Sequence, residues 1–174
     1  MPEQTRAAAA AVRLQAITDE IVAEVQRLPP QLITWIPGDG VWSVMDILCH
    51  IREFVPFWTD ETLRIARRPD EQWGRVYTDT GRLAAVANTA SYQLEDVLAD
   101  IRRAVRRSAD TLNDLSDADL AVEATSKNPR WGLKPASFVV DQLLVQHVEK
   151  HLGQIRRNVT QFGEAGAKAT RRHL

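Results

Sequence analysis

Ser43-Val44-Met45-Asp46-Ile47-Leu48-Cys49-His50-Ile51-Arg52-Glu53-Phe54-Val55-Pro56-Phe57-Trp58 begins as a helix begins and continues as a helix buried along one side. Ser43 is a good N-cap, and Asp46 occupies the capping-box position three residues later. Val44, Ile47, Leu48, Ile51, Phe54, Val55 and Trp58 recur at three- and four-residue spacing, which marks a single apolar stripe. Pro56 should kink this helix or open its hydrogen-bond ladder. The pattern fades near Arg68-Pro69.

Three other stretches carry the same period. From about Thr5 to Leu28, the stripe is Val12, Ala16, Ile17, Ile21, Val25 and Leu28, ended by Pro29-Pro30. From about Asn88 to Leu112, it is Tyr92, Leu94, Val97, Leu98, Ile101, Val105 and Leu112. A fourth helix opens after Lys134-Pro135, where proline suits a first turn. It continues through Phe138, Val140, Leu144, Val148, Leu152, Ile155 and Val159, and Gly163 and Gly166 mark its end. Nothing reads as an alternating strand. Four such helices predict an all-α protein, a four-helix bundle. The connections at about Pro69 to Ala87 and Asn113 to Lys134 are long enough to be candidate covers for a site.

With 174 residues, the chain suits one domain with a real core. The formal net charge of -1 argues against nucleic acid or an anionic membrane as the main partner. Arg102, Arg103, Arg106 and Arg107 read as a solvated helix face. The single cysteine, Cys49, forms no intrachain disulfide and suits a reducing compartment. No secretory leader is visible before Arg13, and no stretch reaches the ~18 apolar residues of a membrane span. A cytoplasmic protein is expected.

The chemistry lies with histidine. His147 and His151 stand four apart in Gln146-His147-Val148-Glu149-Lys150-His151, so they share one helix face. They flank an apolar stripe, as His50 does on its own helix. Two imidazoles from one helix and a third from another form a His₃ set, the ligand count of a metal site that keeps a position open. Each histidine alone reads better as a core or boundary residue satisfied by a hydrogen bond; the pair with a third from another helix is what favours metal. The pattern is not the His-Glu-x-x-His of zinc proteases, since Val148 stands where the base would be. Glu53, three after His50, and Gln154, three after His151, are candidates to support the metal-bound rings. Both equally suit a plain polar flank. Cys49 points about 100° away from His50 on a helix and reads as a buried small residue. His173 sits in the charged tail. Trp42, just before the Ser43 cap, suits a hydrophobic staple. Trp131 is a candidate pocket wall or, as a packing residue, a loop anchor.

These motifs resemble the DinB-like superfamily. Val41-Trp42-Ser43 leading to Cys49-His50-Ile51 is similar to that family's second-helix opening. His147-x-x-x-His151-Leu152-Gly153-Gln154-Ile155 is similar to its last-helix motif. The resemblance implies an up-down-down-up bundle, taken as residues 1–162 with a polar tail at 163–174. It also implies a divalent metal, zinc or nickel, held by His50, His147 and His151. Relatives include transferases that use low-molecular-weight thiols and metal-dependent hydrolases, and many form homodimers. A metal-dependent enzyme acting on a small-molecule substrate is therefore expected. The alternative is a metal-containing binding or stress-response module without catalysis. No catalytic side chain is assigned.

Overall fold

The computed structural model describes residues 4–171, with side chains described to residue 167. His173 lies outside them. α1 (Arg6–Val25) is capped by Thr5, whose hydroxyl accepts from the Ala8 N–H at 3.1 Å. Its buried face is Ala7, Ala10, Ala11, Leu14, Ile17, Ile21, Val22 and Val25. Val12 is 57% exposed, against expectation. Small alanines carry the first turns of the stripe, and they set a phase that leaves Val12 outside. The one-turn α2 (Pro30–Ile33) seats Leu32 and Ile33 in the core.

α3 (Val44–Arg67) shows the predicted capping box. The Ser43 N–H donates to Asp46 Oδ2 at 2.9 Å, and the Asp46 N–H donates to Ser43 Oγ at 3.1 Å. The helix runs on through Pro56 to Arg67. The crossover that follows holds α4 (Thr80–Ala85) and a 3₁₀ turn at Thr89–Ser91. α5 (Leu94–Asn113) starts later than the sequence suggests. Asn88 takes a left-handed φ of 57°, which breaks any helix there. Tyr92 is 39% exposed and covers the Arg52 guanidinium at 4.3 Å instead of joining the stripe.

The second long connection is also structured. It holds α6 (Asp117–Ala121) and a small antiparallel hairpin, β1 (Glu123–Thr125) with β2 (Leu133–Pro135). The sequence reading finds no strand, because three residues are too few to show an alternation. The last helix is continuous from α7 (Ala136–Phe138), through a π-helical segment at Val139–Val145, into α8 (Gln146–Arg171). It passes through Gly163 and Gly166, which therefore do not end it.

Contacts fix the direction of each helix. Arg6 pairs with Asp141, Arg13 with Glu149, and Arg156 with Glu24. Residue numbers rise together, so α1 and the last helix are parallel. Arg52 pairs with Asp100 at 3.5 Å, and Thr59 bonds Ser108 at 2.8 Å, so α3 and α5 are parallel. Asn158 donates to the Trp42 carbonyl at 2.9 Å while Phe54 stacks on His147 at 4.3 Å, so α3 and α8 are antiparallel. The result is an up-down-down-up four-helix bundle. Among the described residues, no helix is long and apolar enough to cross a membrane. The four clustered arginines of α5 are exposed, and Cys49 is fully buried, as expected.

Candidate metal centre

α3 and α8 cross with their histidines facing. His50 meets His147 at 5.3 Å and His151 at 5.1 Å between ring centroids, and His147 meets His151 at 4.7 Å. One ring nitrogen from each can be chosen so that all three lie within 4.8 Å of one another. His50 and His151 are 3% and 4% exposed, and His147 is partly buried. Aromatic neighbours fix the rings. Trp42 meets His50 edge-on at 5.0 Å and lies parallel to His151 at 6.2 Å, while Phe54 stacks on His147.

Burial dominates the electrostatics, because a buried imidazole resists charge. It pushes His50 down to about 2, and positive charge at His151, His147, Arg82 and Arg75 acts the same way. His147 falls to about 3, chiefly through burial. His151 falls to about 4, again through burial, partly opposed by its hydrogen bond with Gln154. All three rings are neutral at pH 7, the protonation state of a metal ligand. Nδ1 of His50 and Nε2 of His151 are buried, and among the described residues neither has a hydrogen-bond partner. Buried polar atoms are rarely left so. Two such nitrogens beside a third neutral imidazole fit a divalent metal ion.

A cleft of about 210 Å³ opens against His50 and His147. Trp58, Trp131 and Leu143 supply apolar wall, and Arg75, Arg82 and Arg130 supply charge. Both long connections reach it, as their length suggested. A larger hollow, about 600 Å³, lies beyond Trp42 and Gln154, but none of the three histidines lines it.

The family model of the DinB superfamily matches residues 13–155. The chain belongs to the DinB superfamily. Among solved structures it is similar to YfiT from Bacillus subtilis, described as "a probable metal-dependent hydrolase with an unusual four-helix bundle topology". Identity is 13%, the TM-score is 0.75, and the match covers 94% of this chain and 93% of that one. That likeness shows the shared fold. No curated protein matches at a significant level.

In this DinB chain, Gln154 Oε1 lies 2.7 Å from His151 Nδ1. Glu53 does not. Its carboxylate is 4.0 Å from His50 Nδ1, beyond hydrogen-bond length, and is gripped by both terminal nitrogens of Arg75. Trp131 lines the cleft and also anchors the hairpin, stacking on buried Trp73 at 5.5 Å. Trp42 walls the histidine cluster, a role that its place before the helix cap conceals. The π segment is also unannounced. A π turn disrupts the regular backbone pairing just ahead of His147, and such turns recur at functional sites. The Leu143 backbone, within that segment, hydrogen-bonds the His147 ring. No glycine or proline between Val139 and Val145 signals it.

Proposed function

We propose that this chain is a divalent-metal-dependent enzyme acting on a small molecule, by hydrolysis or by thiol transfer, with His50, His147 and His151 holding a zinc or nickel ion. One observation carries the reading. Two buried imidazole nitrogens in a single three-histidine cluster have no partner among the described residues. A metal-free core built this way would leave each at a cost of about 1–3 kcal/mol.

When bound, the ion lowers the pKa of a water or thiol, or polarises a substrate carbonyl. The chain's own residues set the stage for that chemistry. Gln154 holds the His151 ring in one orientation, and Leu143 does so for His147. Trp42 and Phe54 pack the rings against rotation. Trp58 and Trp131 give the adjoining cleft dry walls, which strengthen every charge interaction inside it. Among the described residues no carboxylate lines the cleft, so no side chain there is assigned as general base. The name given to YfiT supports hydrolysis, whereas the thiol-using relatives implied by the sequence motifs support transfer.

The test starts from untagged protein and elemental analysis. One divalent ion per chain, lost in a His147→Ala, His151→Ala double variant, supports the reading. The loaded protein is then given esters and amides, and separately a low-molecular-weight thiol with an electrophile. Turnover in either set that requires His50 identifies the reaction. Metal without turnover across both sets turns the reading toward a binding module. No metal affinity at all overturns it.

A further inference from the structure

The cleft beside the histidines is positively charged. Among the described residues, three arginines line it, Arg75, Arg82 and Arg130, and no aspartate or glutamate does. Arg75 is 8% exposed and already committed to Glu53 and, at 3.4 Å, to Asp79. The other two differ. Arg82 lies over the Tyr77 ring at 4.4 Å, and its guanidinium reaches only the Tyr77 carbonyl, at 3.5 Å. Arg130 is exposed and engages its neighbours through its backbone N–H, which donates to Asn128 Oδ1 at 3.1 Å. Among the described residues, neither guanidinium has a carboxylate within ion-pair distance. They come from different connections, 68–93 and 114–132, so their meeting is a product of the fold and not of a local charge run.

A second observation lies in the same wall. Trp58 is 4% exposed, and among the described residues its buried indole N–H has no acceptor. An indole nitrogen donates and cannot accept. The cleft thus offers two guanidinium groups without a carboxylate partner, both of which want oxygen, and the Trp58 N–H behind its wall adds one more unsatisfied donor. Its remaining walls, Trp131, Leu143 and the rest of the Trp58 ring system, want hydrocarbon.

We propose that the substrate entering this cleft carries a carboxylate, held by Arg82 and Arg130, on a small apolar body packed against Trp58 and Trp131. The guanidinium fork matches a planar carboxylate, which can accept two parallel N–H bonds. Size limits the body. A cavity of about 150 Å³ holds benzene in another protein, so about 210 Å³ suits a single-ring or short-chain acid. The inference rests on reading the histidine cluster as a metal-dependent active site, since it names what that site would act on. The arginines, though, hold the carboxylate whether or not an ion is present.

Benzoate is the probe, and the uncharged isostere benzamide is its control. Full-length protein is titrated by calorimetry and by tryptophan fluorescence, once after chelator treatment and once loaded with zinc. Zinc affinity is measured separately. Benzoate should bind the metal-free protein and quench its tryptophans, with benzamide at least about tenfold weaker, the loss of one charge-assisted contact. Arg82→Gln and Arg130→Gln should each weaken benzoate by about tenfold while zinc affinity stays constant. Arg130 is exposed, so its variant keeps the test informative if Arg82→Gln misfolds. Equal binding of benzoate and benzamide, or unchanged benzoate binding in a folded arginine variant, overturns the proposal. So does a preference for inorganic phosphate over benzoate. Loss of zinc binding by the parent protein would instead overturn the metal reading and leave the carboxylate result to stand or fall by itself.

Discussion

Nδ1 of His151 lies 2.7 Å from Oε1 of Gln154, one helical turn further along α8. An amide oxygen accepts and does not donate, so the ring proton sits on Nδ1. Nε2 is then the nitrogen with a free lone pair, and it is the one left buried without a partner. The pair sets both the tautomer and the direction of His151 before any ion arrives.

Gln154→Leu should therefore weaken metal binding by about 10–100-fold, the usual cost of removing a support to a metal-bound histidine. Competition with a chromophoric chelator measures it. The metal-free variant should also lose about 1–3 kcal/mol of stability, because the buried His151 Nδ1–H loses its acceptor. An unchanged metal affinity would show that the hydrogen bond orders nothing that matters.

The ions should draw the histidines together. Ligands around tetrahedral zinc at ~2.0–2.1 Å lie ~3.4 Å apart, whereas the three nitrogens are spread over up to 4.8 Å. A cobalt-substituted sample should show the strong visible bands of a low-coordinate site. Weak, six-coordinate bands would mean that the helices hold the rings too far apart to close.

Acid should destabilise the metal-free fold. The three imidazoles sit at about 2, 3 and 4 in the folded chain, against 6.5 in the unfolded one. The unfolded state thus binds more protons whenever the pH is below 6.5. Stability is full above that value and falls as the pH drops toward the folded values. At pH 5 the loss should reach up to about 2 kcal/mol per histidine. Urea unfolding at pH 7 and pH 5 reads it directly. A His147→Phe variant, which removes one titrating group, should show a smaller difference between the two pH values.

Much of this was legible from the chain, for identifiable reasons. The box of Ser43 and Asp46 and the 3.6-residue stripe behind it are local, so α3 appears where expected. His147 and His151 share a face by spacing alone, and apolar neighbours placed them inside. What escaped depends on tertiary geometry or on brevity. Three-residue strands have no period to read. Val12 lost its place because the alanines of α1 set the phase of its buried face. The π segment needs no special residue, since it answers to packing. Arg82 and Arg130 lie 48 positions apart on separate connections, and only the fold brings them to one cleft.

Glu53 offers a choice between two roles with different readouts. It stands three residues after His50, yet its carboxylate faces Arg75, with Nη2 at 2.8 Å from Oε2. Arg75 also lies over the Phe57 ring at 4.1 Å, so this one side chain ties the crossover to α3 behind the cleft. Glu53→Gln should remove the charge and one of the two acceptor oxygens, leaving the buried guanidinium with Asp79 as its carboxylate partner. The expected loss is about 1–3 kcal/mol, below that of a fully buried pair because the Glu53 side chain is 21% exposed. Adding Arg75→Met should restore part of it, a coupling that a double-mutant cycle measures. Metal affinity should stay within a few-fold of the parent, because no hydrogen bond joins Glu53 to His50. The opposite pattern, lost metal affinity with full stability, would return Glu53 to the histidine cluster and leave Arg75 free to meet a ligand.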